Sequence, residues 1–120
     1  MKINGIGPIL SRRIIKYRDL LGGFHSLNQL LEVYHLPPNV ASKIMNYAYL
    51  DLDNYPVNKL NLNQADYTLL ASHPYVPFSL AKAIVAFRDQ HGPFTDLEHL
   101  KKIHLVNDST YLRVSPYLDL

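Results

Sequence analysis

One stretch of this chain occurs twice, and that repeat constrains the fold more than any other feature. Residues 5–24 read GIGPILSRRIIKYRDLLGGF, and residues 76–94 read VPFSLAKAIVAFRDQHGPF. Seventy positions apart, Leu10, Ile14, Arg18, Asp19, Gly22 and Phe24 return unchanged as Leu80, Ile84, Arg88, Asp89, Gly92 and Phe94. Tyr17 becomes Phe87, and Arg12 becomes Lys82. A period of this length within 120 residues makes two copies of one supersecondary unit.

In the first copy Gly5-Ile6-Gly7 precedes Pro8, a residue suited to the first turn of a helix. Leu10, Ile14, Tyr17 and Leu21 then fall on one apolar stripe, which predicts a helix over 8–21. Gly22-Gly23 stops it. Phe24 is expected to plug the core beside that helix. Ser26 and Gln29 have the spacing of a capping box for a short helix through Tyr34, with Leu27, Leu30 and Leu31 inward. His35-Leu36-Pro37 takes the place of a second hairpin, and Pro38 opens a helix to Tyr47. Tyr49 to Asn61 reads as a linker, because Pro56 interrupts it and no helical stripe runs through it.

The second copy starts at Asn63, an N-cap with Asp66 in the first turn of a helix to Ser72. His73 to Pro77 forms its hairpin, and Phe78 to Gln90 its long helix, which Gly92-Pro93 ends. Thr95 or Asp96 caps a short helix to Ile103. His104 to Asn107 is the last hairpin, and Asp108 to Val114 the last helix, which Pro116 terminates. Tyr117-Leu118-Asp119-Leu120 echoes Tyr49-Leu50-Asp51-Leu52. The expected fold class is all-α: two tandem helix-hairpin-helix units of short helices with little or no sheet. They occupy residues 1–52 and 63–120, joined by a linker over 53–62. The first copy lacks the helix that leads the second, so this sequence is expected to be a piece of a longer protein, with any targeting segment left open.

The residues that carry this pattern are Gly5-Ile6-Gly7-Pro8, Ile14-Ile15-Lys16-Tyr17-Arg18, Gly22-Gly23-Phe24-His25-Ser26-Leu27, Leu60-Asn61-Leu62-Asn63-Gln64-Ala65-Asp66 and His91-Gly92-Pro93-Phe94. Together they resemble the tandem helix-hairpin-helix units of the ComEA type, a multi-repeat bacterial group related to competence and DNA uptake. The resemblance covers nearly the whole chain. It implies non-catalytic, sequence-independent binding of double-stranded DNA through the phosphate backbone. It also implies a bacterial cell-envelope or periplasmic location. Carried over residue by residue, it points to Gly5, Ile6 and Gly7, with Ser11, Arg12 and Lys16 as outward neighbours and Lys43 and Lys82 as further basic contacts. Some relatives of this kind sit beside nuclease or lyase domains, whose catalytic residues lie outside the hairpin units.

The chemistry behind the glycine hairpin is simple. Glycine reaches positive φ without steric cost, so a G-h-G turn can aim several backbone N–H groups outward together. A helix N-terminus adds unpaired donors and a partial positive charge. Such a site fits a phosphate oxygen and reads no base. Ile6 would point inward and anchor the loop. The bland alternative is that the turn is a tight helix–helix connector. The other hairpins depart from the pattern. Tyr34-His35-Leu36-Pro37-Pro38 and Pro74-Tyr75-Val76-Pro77 hold prolines, which have no N–H to donate, and His104-Leu105-Val106-Asn107 has no glycine.

Arg18 and Arg88 are expected to bond nearby helix-terminal or loop carbonyls rather than DNA. Tyr17, Tyr47 and Tyr67 fall at core spacing, so packing outweighs base stacking for them; Tyr75, on a hairpin tip, is the exception. The six histidines show no i, i+4 pair, and His99 and His104 stand five apart, so no metal or other cofactor is expected. No cysteine, no G-x-S-x-G and no phosphate-loop lysine motif is present, and no enzyme activity is expected. Nor does any apolar run approach the ~20 residues of a membrane span.

Net charge is only +2, and it is lopsided. Residues 1–52 hold six basic side chains (Lys2, Arg12, Arg13, Lys16, Arg18, Lys43) against three acidic ones (Asp19, Glu32, Asp51). Residues 53–120 hold six basic side chains against seven acidic ones. A chain built throughout for DNA should not be so uneven. The rival function is therefore an interaction or structural array, in which worn hairpins dock protein partners.

Overall fold

The computed structural model describes residues 7–120, and the chain divides into two compact units, Met1–Val57 and Asn58–Leu120. Among the described residues the fold is all-α apart from one pair of two-residue strands.

In the first unit α1 spans Pro8–Leu21, with Pro8 at the position where a missing N–H costs nothing. It ends at Gly22, whose φ of 89° is open to glycine and strained for other residues. The N–H groups of Gly22 and Gly23 both donate to the Arg18 carbonyl, at 3.0 and 2.9 Å. Gly23 is also crowded: a Cβ there would lie 3.4 Å from Val57 Cγ1. The chain then enters a 3₁₀ helix, Leu27–Glu32, opened by the expected capping box. The Ser26 hydroxyl accepts from Asn28 N, and the Gln29 side chain accepts from the N–H groups of His25 and Ser26. The 3₁₀ period of three places Leu27, Leu30 and Val33 in line. Leu31, expected inward on an α-helical count, is therefore 55% exposed, while Leu30 and Val33 are buried. Helix α2 spans Pro38–Tyr47 and buries Ala41 and Ile44.

The second unit opens with strand β1, Leu60–Asn61, which runs parallel to β2, Leu118–Asp119, in the register Leu60 with Leu118. The last residues of the expected linker thus belong to the second unit's framework, and Leu62 is fully buried. Asn63 does not cap a helix. Its amide donates to the Phe94 carbonyl at 2.9 Å and accepts from Phe94 N at 2.6 Å. Asn61 instead caps the local turn, accepting from the N–H groups of Asn63 and Gln64. Helix α3, Tyr67–Ala71, begins three residues later than expected, where the Asp66 side chain accepts from Leu69 N at 2.8 Å. Then follow α4, Phe78–His91, a 3₁₀ helix, Leu97–Lys102, capped by Asp96, and α5, Asp108–Val114, capped by Asn107. A last 3₁₀ turn, Ser115–Tyr117, leads into β2.

The conserved spacing of the two copies translates into matched core sites. Ile14 is 1% exposed and Ile84 0%. The arginines do not match. Arg88 Nη1 donates to the carbonyls of Leu62 and Ala65, at 3.0 and 2.8 Å, as expected of a carbonyl anchor. Arg18 instead meets Asp19 at 3.3 Å on the surface. At the repeat offset, the counterparts of Leu62 and Ala65 fall before residue 1. The tyrosines also correct the sequence reading. Tyr47 and Tyr67 are 77% and 45% exposed, because both stand at helix ends, where the stripe has left the core. Tyr17 is half-buried, with its hydroxyl on Glu32. No helix among the described residues is long and apolar enough to cross a membrane.

Truncating Ile14 or Ile84 to Ala should cost about 2–5 kcal/mol in denaturant unfolding, the range for emptied aliphatic core sites. Arg88→Ala, which strands two carbonyls, should cost about 1–3 kcal/mol. Arg18→Ala should stay within about 0.5 kcal/mol. Equal losses for the two arginines would show that their environments are the same.

Candidate nucleic-acid interface

Each unit presents helix N-termini at its hairpins, and what stands at each end decides its chemistry. Four of the five α-helices follow a hairpin. At α1 the cap is Gly7, which has no side chain to occupy the first N–H groups, and no acidic residue lies in the first turn. Pro8 donates nothing, but Ile9 and Leu10 carry N–H groups that an α-helix leaves without an intrahelical partner. Ser11 N donates back to the Gly7 carbonyl at 3.1 Å. Arg12 and Lys16 follow at four-residue spacing and are both exposed, so they share the face below this end. Ser11 is half-buried.

Gly7 itself corrects one expectation. Its φ is −72° and ψ 168°, an extended conformation that any residue adopts. The reason is Pro8, which bars the helical region to the residue before it. A Cβ on Gly7 would meet nothing within 4 Å. Positive φ is therefore not what glycine supplies here; it supplies an open, side-chain-free cap. Gly5 and Ile6 lie outside the described residues.

The α4 end repeats the arrangement in part. Its cap is Pro77, again without a side-chain hydrogen bond and with no acid in the first turn. Lys82, the counterpart of Arg12, is exposed and stands 5.0 Å from the Phe78 ring centroid. Lys16 has no counterpart, since Ala86 stands there, and Ser11 is replaced by the buried Ala81. The hairpin before α4 turns its side chains inward. Tyr75, read as an exposed tip, is 7% exposed and packs edge-on against His73 and Tyr117, with its own N–H on His73 Nδ1 at 3.0 Å.

Of the other two ends, α2 also lacks a side-chain cap and a first-turn acid, whereas α5 is capped. At α2, Pro38 has no N–H and Val40 N is taken by the Pro37 carbonyl at 3.0 Å. The hairpin there reaches positive φ without glycine, through His35 at 54°. Lys43 is exposed on α2, about one and a half turns from its start. At α5 the Asn107 side chain accepts from Thr110 N at 2.8 Å, and Asp108 adds negative charge beside Lys101. Thus Gly7, Ser11, Arg12 and Lys16 lie along α1 and its cap, Lys43 sits on a separate helix, and Lys82 belongs to the other unit.

Two arginines escaped the sequence reading. Arg13 donates to the His35 carbonyl at 3.2 Å, tying α1 to the second hairpin. Arg113 lies 4.3 Å from the Tyr75 ring centroid, in a cleft of about 220 Å³ that also includes Ser79 and Thr110. No local motif marks Arg113, because its place depends on two hairpins meeting in the fold. No group of three or more His, Asp or Glu side chains among the described residues is placed to hold a metal ion.

The model of the helix-hairpin-helix motif matches residues 1–48 and 56–119. The chain belongs to the helix-hairpin-helix family. Among curated proteins it is similar to "Endonuclease/exonuclease/phosphatase family domain-containing protein 1" of Danio rerio, 31% identical over 130 aligned residues. That alignment covers 95% of this chain and 24% of the relative, so the chain spans about a quarter of the relative's length. No solved structure matches. Helix-hairpin-helix motifs are in general nucleic-acid-binding elements.

The Gly7 geometry makes a direct prediction. Gly7→Val should cost no more than about 1 kcal/mol of unfolding stability, the difference between glycine and valine at an N-cap. A loss above 2 kcal/mol would mean that glycine is needed there for its backbone after all.

Proposed function

We propose that this chain is a non-catalytic, sequence-independent binder of double-stranded DNA that holds the phosphate backbone at its hairpins. The observation that carries this is the α1 end: a cap without a side chain, no first-turn acid, and exposed Arg12 and Lys16 on one face. Gly7, Ser11, Arg12 and Lys16 would form the main contact, together with Gly5 and Ile6, which lie outside the described residues. Lys43 would extend it. Lys82, at the uncapped end of α4, would give a weaker second contact. Phosphate attraction to unpaired helix N–H groups and to cations needs no base recognition.

The narrower ComEA-like assignment, with its bacterial, DNA-uptake and cell-envelope setting, rests on the GIG, GGF and LNLNQAD motifs. The binding proposal does not require that setting. The relative's name refers to a catalytic family, but to a protein about four times the length of the matched segment. For the last hairpin of the second unit, the Asn107 cap and Asp108 favour the rival role of a docking or structural element.

Duplex DNA titrated at several salt concentrations tests the proposal. Affinity should fall linearly on a log–log plot, with about 0.9 of slope per phosphate contact. Arg12→Ala and Lys16→Ala should each reduce the slope by about one. Gly7→Asp is the sharper variant. Aspartate is a good N-cap, so thermal stability should hold or rise, while its charge and its hydrogen bond to the helix end should displace phosphate and weaken DNA binding. Unchanged DNA affinity in Gly7→Asp, or no binding at about 50 mM salt where counterion release favours it, would refute the proposal.

A further inference from the structure

The turn after the long helix carries different chemistry in the two units. In the second unit the end of α4, the Gly92 turn and the 3₁₀ helix Leu97–Lys102 enclose a cleft of about 580 Å³. His91, Thr95, His99 and Lys102 line it, together with the Phe87 and Phe94 rings. Through the repeat, His91 corresponds to Leu21, His99 to Gln29, Lys102 to Glu32 and Phe87 to Tyr17.

The first unit uses those positions for its own packing. Leu21 is 1% exposed and Gln29 4%. Gln29 takes the N–H groups of His25 and Ser26, and the Tyr17 hydroxyl donates to Glu32 at 2.6 Å. In the second unit Phe87 has no hydroxyl to donate. His91 and Lys102 are exposed, and His99 is half-buried. The His91 ring lies against Phe87, with centroids 4.4 Å apart, and Phe87 stacks on Phe94 at 5.3 Å. His91, His99 and Lys102 form no ion pair with any described residue. Where the first unit has an apolar, an amide and an acidic side chain, the second sets nitrogen donors around one cleft.

We propose that this cleft binds a phosphate monoester of nucleotide size. A lysine ammonium offers three donors, and an imidazole one when neutral and two when charged. Hydrogen bonds from charged donors to phosphate oxygens are the stronger kind, and the Thr95 hydroxyl adds to them. A bare phosphate would leave most of the cleft empty. Its volume falls in the range of small-molecule sites, with room for an organic body against the aromatic wall. A free nucleotide and the 5′-phosphorylated end of a strand both present this group. The site does not rest on the duplex reading, because Gly7, Arg12 and Lys16 belong to the other unit.

The test titrates adenosine 5′-monophosphate into the isotope-labelled full chain and follows the ring signals of His91 and His99. Saturable shifts are expected there, and adenosine without its phosphate should bind at least about tenfold more weakly, the loss of hydrogen bonds to a charged group. Two exchanges restore the first unit's residues. His99→Gln returns the third residue of a capping box, so thermal stability should hold or rise while binding falls about tenfold. Lys102→Glu, at an exposed position, should keep the fold and abolish binding. Arg12→Ala should leave this binding unchanged. A 5′-phosphorylated single strand, read at the same two histidines, identifies the source: tighter binding than the mononucleotide assigns the site to a strand end, weaker binding to a free nucleotide. Four outcomes would overturn the proposal: no saturable shift, adenosine binding as tightly as its monophosphate, full binding in Lys102→Glu, or loss of binding in Arg12→Ala.

Discussion

Each unit depends on a long helix that must stop and fold back within three residues. Gly22 and Gly92 meet that demand at φ 89° and 84°, each sending its N–H to the carbonyl of the arginine four residues earlier. The reversal brings Phe24 and Phe94 back over the helix, beside Tyr17 and Phe87, with ring centroids 6.5 and 5.3 Å apart. From there the capped 3₁₀ helix can begin only at Leu27 or Leu97, which lines up Leu30 and Leu100 for burial. A side chain with a Cβ at the reversal would strain the turn and displace the aromatic plug, so the rest of the unit inherits its register from one backbone angle.

At the hairpins the governing choice is between satisfying a helix end internally and leaving it available. Asn107 caps α5, its side chain taking Thr110 N. Gly7, Pro37 and Pro77 leave α1, α2 and α4 without a side-chain cap. An end without a capping side chain costs some stability, about 0.5–2 kcal/mol where a non-capping residue replaces a capping one and only a few tenths where glycine does. The first unit strengthens the α1 end with two cations; the second keeps one at α4 and diverts its hairpin side chains to the core.

The repeat, the helix stops and the capping box were all legible in the sequence, because each is a local rule acting within four or five residues. Helices α1, α2 and α5 match their expected limits, and α4 runs one residue longer. What escaped was set at long range. Asn63 looks like an N-cap until Phe94, thirty-one positions away, takes both sides of its amide. Leu60 looks like linker until Leu118 pairs with it. Tyr75 looks like a tip until His73 and Tyr117 enclose it. The four-residue count for Leu31 failed because the segment winds with a period of three. At the site, the basic pair on α1 was readable from spacing, whereas the extended backbone of Gly7 required weighing Pro8 above the glycine.

The parallel pairing of β1 with β2 has a mechanical consequence. The chain reaches the second unit through β1 and leaves through β2, and the two strands run the same way side by side. Tension applied at the two ends therefore pulls the strands in opposite senses along their length, loading the ladder in shear so that its hydrogen bonds resist together instead of unzipping singly. Beyond that clamp, force would reach the Arg88 and Asn63 bonds only after the strands had slid apart.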